Sequence, residues 1–244
     1  MATVDRAIPL KKESEQEITR FDSHQIAQHA GLMASFILLV LTGLPQKFHD
    51  AGISQWWVEV WGGIEVIRGI HHFAAYLIIL VCIYHLIYLF YSTLILKRPF
   101  PIKMIPNRQD GTIIFHEISY FLGLRKDRPK FDRFNWREKF DYWAIFWGMP
   151  IIGFSGFILM YPVLVTKYLP GWVVPAALIA HSDEAMLALI WIFIVHVYFN
   201  HFTPGSFPLN KSIFTGKVSI ERYRKDHPIE YEKLRENREE EKTP

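Results

Sequence analysis

Six of the eleven histidines in this 244-residue chain, His29, His71, His85, His181, His196 and His201, stand within or beside long apolar stretches at positions suited to holding a ligand. Ionisable side chains are costly in hydrocarbon and are usually retained there for a function. In GIHHFAAYLIILVCIYHLIYLF, residues 69 to 90, His71 and His85 stand 14 residues apart. On a helix that is a rise of ~21 Å and a rotation that leaves them within about 40° of one face. His72 and His85 are about 140° apart, so His71 is the better partner. His181 and His196 repeat the arrangement at 15 residues, ~22 Å and about 60° off one face.

Both stretches run in the same sense through the membrane. Their histidines therefore meet at two depths: an outer pair, His71 and His181, and an inner set, His85, His196 and His29. Two axial imidazoles gripping an iron porphyrin from opposite sides is the chemistry such pairs suit, with two haems stacked across the bilayer. A single intramembrane histidine more often bonds one helix to another. Depth-matched pairs on two helices favour ligation. His72 reads as structural. His201, on another face from His196, is a candidate for a quinone contact or a third haem. His24, His49, His116 and His227 lie in polar segments with nothing to mark them out.

The elements that must position these residues are legible as blocks. A helix needs roughly 20 apolar residues to cross a bilayer. Four segments approach that: Leu32 to Leu44 extended back toward His29, Ile70 to Leu96, Tyr142 to Val165, and Ala185 to Phe199 extended back through His181. The mean hydropathy of +0.10 is low because charged segments separate these blocks. The expected fold is an all-α integral membrane four-helix bundle. It divides into an N-terminal segment 1–22, a four-span domain 23–205 with a loop at 97–139, and a tail 206–244. Lysines and arginines set the orientation: 24 of 27 fall before residue 23, in 97–139 or after residue 210. Both termini are thus expected on the cytoplasmic side.

No cleaved signal peptide is apparent in the charged first 22 residues. A single cysteine, Cys82, excludes an intrachain disulfide, an all-cysteine iron–sulfur cluster and covalent haem attachment. The net charge of +3 gives no reason to expect nucleic acid. Trp56, Trp57 and Trp61 before span two read as an interfacial belt on the outer side. The stretch TIIFHEISYFLGL, 112–124, carries Ile114, Ile118 and Phe121 at helical spacing. It reads equally as a helix lying on the membrane surface and as a packed loop helix.

Small residues beside the histidines (Ala30, Gly31, Ala74, Ala75, Ala180, Ala185) leave room for a flat macrocycle. Gly148, Gly153 and Gly156 in span three do the same, or serve helix packing alone. Haem propionates need cations at the membrane edge. Arg68 is placed for the outer haem and Arg20, Lys97 or Arg98 for the inner one; each is also an ordinary interfacial anchor.

The motifs HxxxxHAGLMASFILLVLTGLP in span one and RGIHHFAAY opening span two, with the widely spaced histidines of span four, resemble one known family. It comprises the cytochrome b subunits of membrane-bound formate dehydrogenases and the related cytochromes of nickel–iron hydrogenases and thiosulfate reductases. The resemblance covers roughly residues 20 to 202. It implies four spans, two b haems and a cytoplasmic-side quinone site, with ligands from spans one, two and four. Carried onto this chain, it implies an outer haem on His71 and His181 and an inner haem on His29 and His196. Two features depart from it. Ala30 follows His29 where the family commonly has tryptophan, and His85 is surplus. In the two-helix scheme of bc-type cytochromes, His85 rather than His29 would face His196.

The expected function is a membrane anchor of the bacterial or archaeal cytoplasmic membrane. It would conduct electrons through two b haems, or three, between a quinone such as menaquinone at the inner side and a periplasmic redox subunit. That subunit would be a dehydrogenase, a reductase or a multihaem cytochrome. Substrate chemistry would sit there, since this chain has no molybdenum, nickel or iron–sulfur motif. A membrane diiron oxidase would need its histidines clustered at one depth. A haem-free transporter using a histidine relay would commonly show inverted repeats and broken helices. Neither pattern is evident.

Overall fold

The structure, a computed structural model, describes residues 17–203 and 206–240. Most of the N-terminal segment 1–22 lies outside the described residues. Four helices are long and apolar enough to cross a membrane: Ser23–Lys47, Ile64–Ile95, Trp136–Met160 and Val173–Phe202. The described chain is otherwise built of short helices and one two-stranded ladder.

Helix α1 (Ser23–Lys47) is span one and carries Pro45 in its last turns. Proline has no N–H, so the carbonyl four residues back, that of Leu41, loses its helical donor. The indole Nε1–H of Trp57, on α2 (Gly52–Val60), donates to that carbonyl at 3.0 Å. A tryptophan expected as a membrane-interface anchor thus also repairs a broken helix bond. The chain then turns through Gly62 and Gly63, at φ +91° and +101°, a region that glycine enters without steric cost. Helix α3 (Ile64–Phe90) comes next, and its last turn, Tyr91–Ile95, widens into π winding.

Helix α4 (Arg108–Phe121) lies in the connection between spans two and three. It starts at a capping box: the Asn107 side chain accepts from the Gln109 and Asp110 amides, and the Asp110 carboxylate accepts from the Asn107 amide. Span three, expected to run to Val165, ends sooner. Helix α5 (Trp136–Met160) stops where Tyr161 leaves helical geometry, and Pro162 opens a separate turn through Val165. Span four begins earlier than its apolar core. Helix α6 (Val173–Trp191) continues without interruption into eleven π-wound residues, Ile192–Phe202. Runs of π winding are rare and concentrate at functional sites.

The chain divides into two compact units. One unit, His24–Phe100 with Trp143–Phe199, holds nearly all of the four spans. Its polarity is reversed relative to a water-soluble bundle. Phe73, Leu80, Ile87, Phe154, Phe193 and Ile194 are each at least 60% exposed, whereas Ser35, Thr42 and Ala74 are fully buried. In lipid the outward apolar surface carries no penalty, and small residues let helices approach. At Gly31 an added Cβ would lie 2.8 Å from Val81 Cγ2, so α1 and α3 touch there through glycine. The inward hydroxyls of Ser35 and Thr42 bond back to the carbonyls of Gly31 and Leu38, at 2.7 and 2.6 Å.

The other unit gathers Pro101–Tyr142 with the two terminal segments. Strands β1 (Glu17–Thr19) and β2 (Lys217–Ser219) pair antiparallel, with Ile18 opposite Val218. Helices α7 (Ile220–Asp226) and α8 (Pro228–Glu240) complete it. Beside Tyr223, its buried side chains are mostly polar or charged. Glu230, 7% exposed, takes Lys103 at 2.6 Å, and Asp132 takes Lys233 at 3.1 Å. Burial raises Asp132, but hydrogen bonding with Glu230 and Lys233 and the Lys103 charge outweigh it and hold the carboxyl at about 2. His227 Nδ1 donates to the Asp132 carbonyl at 2.8 Å. Burial, and after it the Arg20 guanidinium, keep that imidazole below its ordinary 6.5.

Candidate haem sites

Two pairs of imidazoles face one another across the spans. His71 on α3 and His181 on α6 have ring centroids 6.3 Å apart, with planes at 67°. His29 on α1 and His196 on the π-wound part of span four have centroids 6.2 Å apart, with planes at 25°.

These separations bear on whether the residues fit an iron porphyrin. A metal–nitrogen bond of about 2 Å on each side, and imidazole rings about 1 Å in radius, put two axial rings about 6 Å apart between centroids. Both pairs stand at that distance. Direct hydrogen bonding between two imidazoles would bring them closer.

The outer pair is held by a matched device on two helices. Thr42 Oγ1 commits its proton to the Leu38 carbonyl, so it can only accept from His71 Nδ1, 2.9 Å away. On α5 the Ser155 hydroxyl likewise donates to the Ile151 carbonyl, and lies 3.3 Å from His181 Nδ1. That nitrogen also donates to the Ile152 carbonyl at 3.0 Å. In both histidines the proton therefore sits on Nδ1 and the lone pair on Nε2, the form that metal-bound histidines take when their other nitrogen is tied down.

The residue after each hydroxyl is glycine. A Cβ on Gly43 would come within 3.3 Å of His71 Cε1, and one on Gly156 within 3.1 Å of His181 Cε1. Each imidazole thus lies against bare backbone. Of the three glycines singled out in span three, Gly156 meets a candidate ligand and Gly148 meets Glu184 Oε1, where a Cβ would stand 2.9 Å away. Gly153 has nothing within 4 Å. Sequence reasoning missed Thr42, Gly43 and Ser155. The signal was present as Thr-Gly in LTGLP and Ser-Gly in FSGF.

His196 of the inner pair lies in the π-wound part of span four. A regular helix would set His196 about 60° off the face of His181. From Ile192 onward the winding is π, with i→i+5 bonds, so each residue turns by less than in an α-helix and the offset of His196 is reduced.

His85 Nδ1 donates to Gln28 Oε1 at 2.9 Å. Gln28 precedes His29 and is only 5% exposed, and its Nε2 has no hydrogen-bond acceptor among the described residues. A buried amide donor left unmade costs about 1–3 kcal/mol, so an acceptor is wanted there. His201 Nδ1 accepts the Asn210 backbone N–H at 3.2 Å. In its neutral form that ring carries its proton on Nε2, which makes it a hydrogen-bond donor there. Arg68 pairs with Glu65 at 3.0 Å on the surface. Arg20 pairs with Glu138 at 2.8 Å and is itself buried. Among the described residues no three His, Cys, Asp or Glu side chains gather into a metal cluster; the histidines meet in twos.

A bundle of four membrane-crossing helices whose histidines meet in facing pairs defines a membrane cytochrome of b type. The chain belongs to the prokaryotic cytochrome b561 family, whose profile matches residues 20–204. It is similar to the formate dehydrogenase cytochrome b556 subunit of Haemophilus influenzae, 24% identical over 218 residues that make up 89% of this chain and 84% of that protein. The protein is a haem-binding, membrane-embedded electron-transfer cytochrome of prokaryotes.

Proposed function

We propose that this chain is a di-haem anchor subunit carrying electrons between a quinone at the cytoplasmic side and a redox partner subunit at the periplasmic side. His71 and His181 ligate the outer haem, and His29 and His196 the inner one. The observation that carries this reading is the pair of imidazole separations, 6.3 and 6.2 Å, each joining different helices.

Haem b supplies reversible one-electron storage when bound. The chain's contribution is position and polarity. It places the two ligand pairs about 20 Å apart along span four. Thr42, Ser155 and the Ile152 carbonyl fix the tautomer of the outer ligands, and their hydrogen bonds raise ligand basicity. The apolar outer surface keeps the spans in lipid. Both termini lie on the cytoplasmic side, following the distribution of Lys and Arg.

Quinone reacts near the inner pair. Gln28 Nε2 offers a buried donor to a quinone carbonyl, and His85 holds the amide in the orientation that presents it. His201, with its proton on Nε2, remains a candidate quinone donor in its own right. The relative from Haemophilus influenzae is a formate dehydrogenase subunit. By that likeness, this chain works with membrane-associated redox subunits. The partner is a dehydrogenase, a reductase or a multihaem cytochrome with its own substrate site.

Purified protein should show the sharp α-band of bis-imidazole b haem in a reduced-minus-oxidised spectrum, with two haems per chain by pyridine haemochrome assay. Removal of His71 or His181 should delete one haem and spare the other. Loss of both or of neither would break the pairing.

A further inference from the structure

The amphipathicity of α4 is inverted. A helix on a water-soluble core turns its apolar stripe inward. Here the inward face carries carboxylates. Asp110, 8% exposed, receives both hydrogen bonds of its Lys139 pair at 2.8 Å. Glu117, 7% exposed, accepts from Trp136 Nε1 at 2.7 Å and pairs with Arg137. About 160° around the axis from Glu117 stands Phe115, 74% exposed. Ile118 and Leu122 continue that stripe at 49% and 68%, and Leu124 just beyond is 75% exposed. Of the three residues that suggested an amphipathic helix, Ile118 and Phe121 are exposed, at 49% and 61%, and Ile114 is half-buried.

Fourteen residues of helix rise about 21 Å, too little to cross a bilayer. The outward face nevertheless asks for an apolar medium, since water against so many large apolar side chains is unfavourable. The segment just after the helix identifies the medium. Arg125, Lys126, Arg128 and Lys130 carry its charge; all four are exposed, and Asp127, the acid among them, pairs with His116 at 3.0 Å. An apolar stripe ending in a cluster of cations matches the layering of a membrane surface, with acyl chains beneath phosphates. Both ends of α4 also lead into membrane-crossing helices, which keep it within reach of lipid.

We propose that α4 is an interfacial helix lying in the plane of the membrane surface. Phe115, Ile118 and Leu122 sit among acyl chains, and Arg125, Lys126 and Arg128 contact anionic lipid headgroups. The bonds to Lys139, Arg137 and Trp136 tie the helix to the first turns of α5. This inference does not depend on the haem assignment.

The test uses the full chain, with Cys82→Ser, in nanodiscs of phosphatidylcholine with and without phosphatidylglycerol. Nitroxide labels placed singly by Phe115→Cys, Ile118→Cys and Leu122→Cys should collide several-fold more with oxygen than with a water-soluble nickel chelate. They should also move deeper when phosphatidylglycerol is present. Preference for the nickel chelate would show a helix facing water, and exclusion of both reagents would show a protein covering it; either overturns the proposal. The triple variant Arg125→Gln, Lys126→Gln, Arg128→Gln should lose the phosphatidylglycerol response. Its persistence would overturn the headgroup contact. The haem spectrum of each variant reports whether the bundle remains intact.

Discussion

Thr42 holds His71: its Oγ1, having given its proton to the Leu38 carbonyl, stands 2.9 Å from the imidazole Nδ1. Replacing Thr42 by Val keeps the shape and removes the acceptor. Loss of such a support typically costs a bound metal 10–100-fold in affinity. Thr42→Val should weaken the outer haem by about tenfold or more and shift its midpoint potential, leaving the inner haem unchanged. Redox titration followed by optical and EPR spectra checks this. Ser155→Ala should do less, because the Ile152 carbonyl still holds His181 Nδ1.

Gly156 and Gly153 give a matched comparison. A methyl at 156 would press on His181 at 3.1 Å, while one at 153 meets nothing within 4 Å. Gly156→Ala should lower the occupancy of the outer haem, and Gly153→Ala should retain full haem content. Equal behaviour of the two would mean that the imidazole does not rest on the backbone as described.

His29 and His85 divide the inner side between them. His29 faces His196, and His85 faces Gln28. His29→Ala should therefore abolish the inner haem. His85→Ala should keep both haems and reduce the rate of quinol oxidation or quinone reduction, as should Gln28→Leu. Loss of haem in His85→Ala alone would transfer the ligand role to that residue.

Trp57 and Pro45 are coupled through one carbonyl. Trp57→Phe should leave the Leu41 carbonyl without a donor and cost about 1–2 kcal/mol. In a Pro45→Ala background the helix supplies its own N–H at that point. The same Trp57→Phe change should then cost markedly less. Thermal unfolding of the four proteins in detergent closes the cycle.

The terminal unit should respond to mild acid. His227 is held below 6.5 in the folded state, so the unfolded chain takes up a proton first as pH falls. Its contribution is complete above pH 6.5 and declines below it. Asp132, at about 2 when folded against an ordinary 3.8, contributes fully above about pH 4 and loses that only as pH falls toward 2. Between about pH 7.5 and 5.5, of these two groups, only His227 acts. Hydrogen exchange in α7 and α8, corrected for intrinsic rates, should lose protection at the lower pH. His227→Gln should remove the difference.

How much of this was legible depended on period and polarity. The four spans could be read because lipid demands long uninterrupted apolar runs, and that demand is written in composition. Their ends were harder. Span three stops at Met160 because Tyr161 and Pro162 break the backbone, although the apolar sequence continues. The outer pair came from matched depth, which needs only a count along two helices. The inner partner could not be chosen that way, since His29 and His85 occupy the same level.

Composition and spacing by themselves determined a four-span membrane protein with histidines at two depths, because hydrophobic length and helical rise are local properties. The tertiary structure decided what each histidine faces. Rotation of one helix against another and the hydroxyls of Thr42 and Ser155 act across helices. Contacts of that kind depend on residues far apart in the chain, and no local period records them.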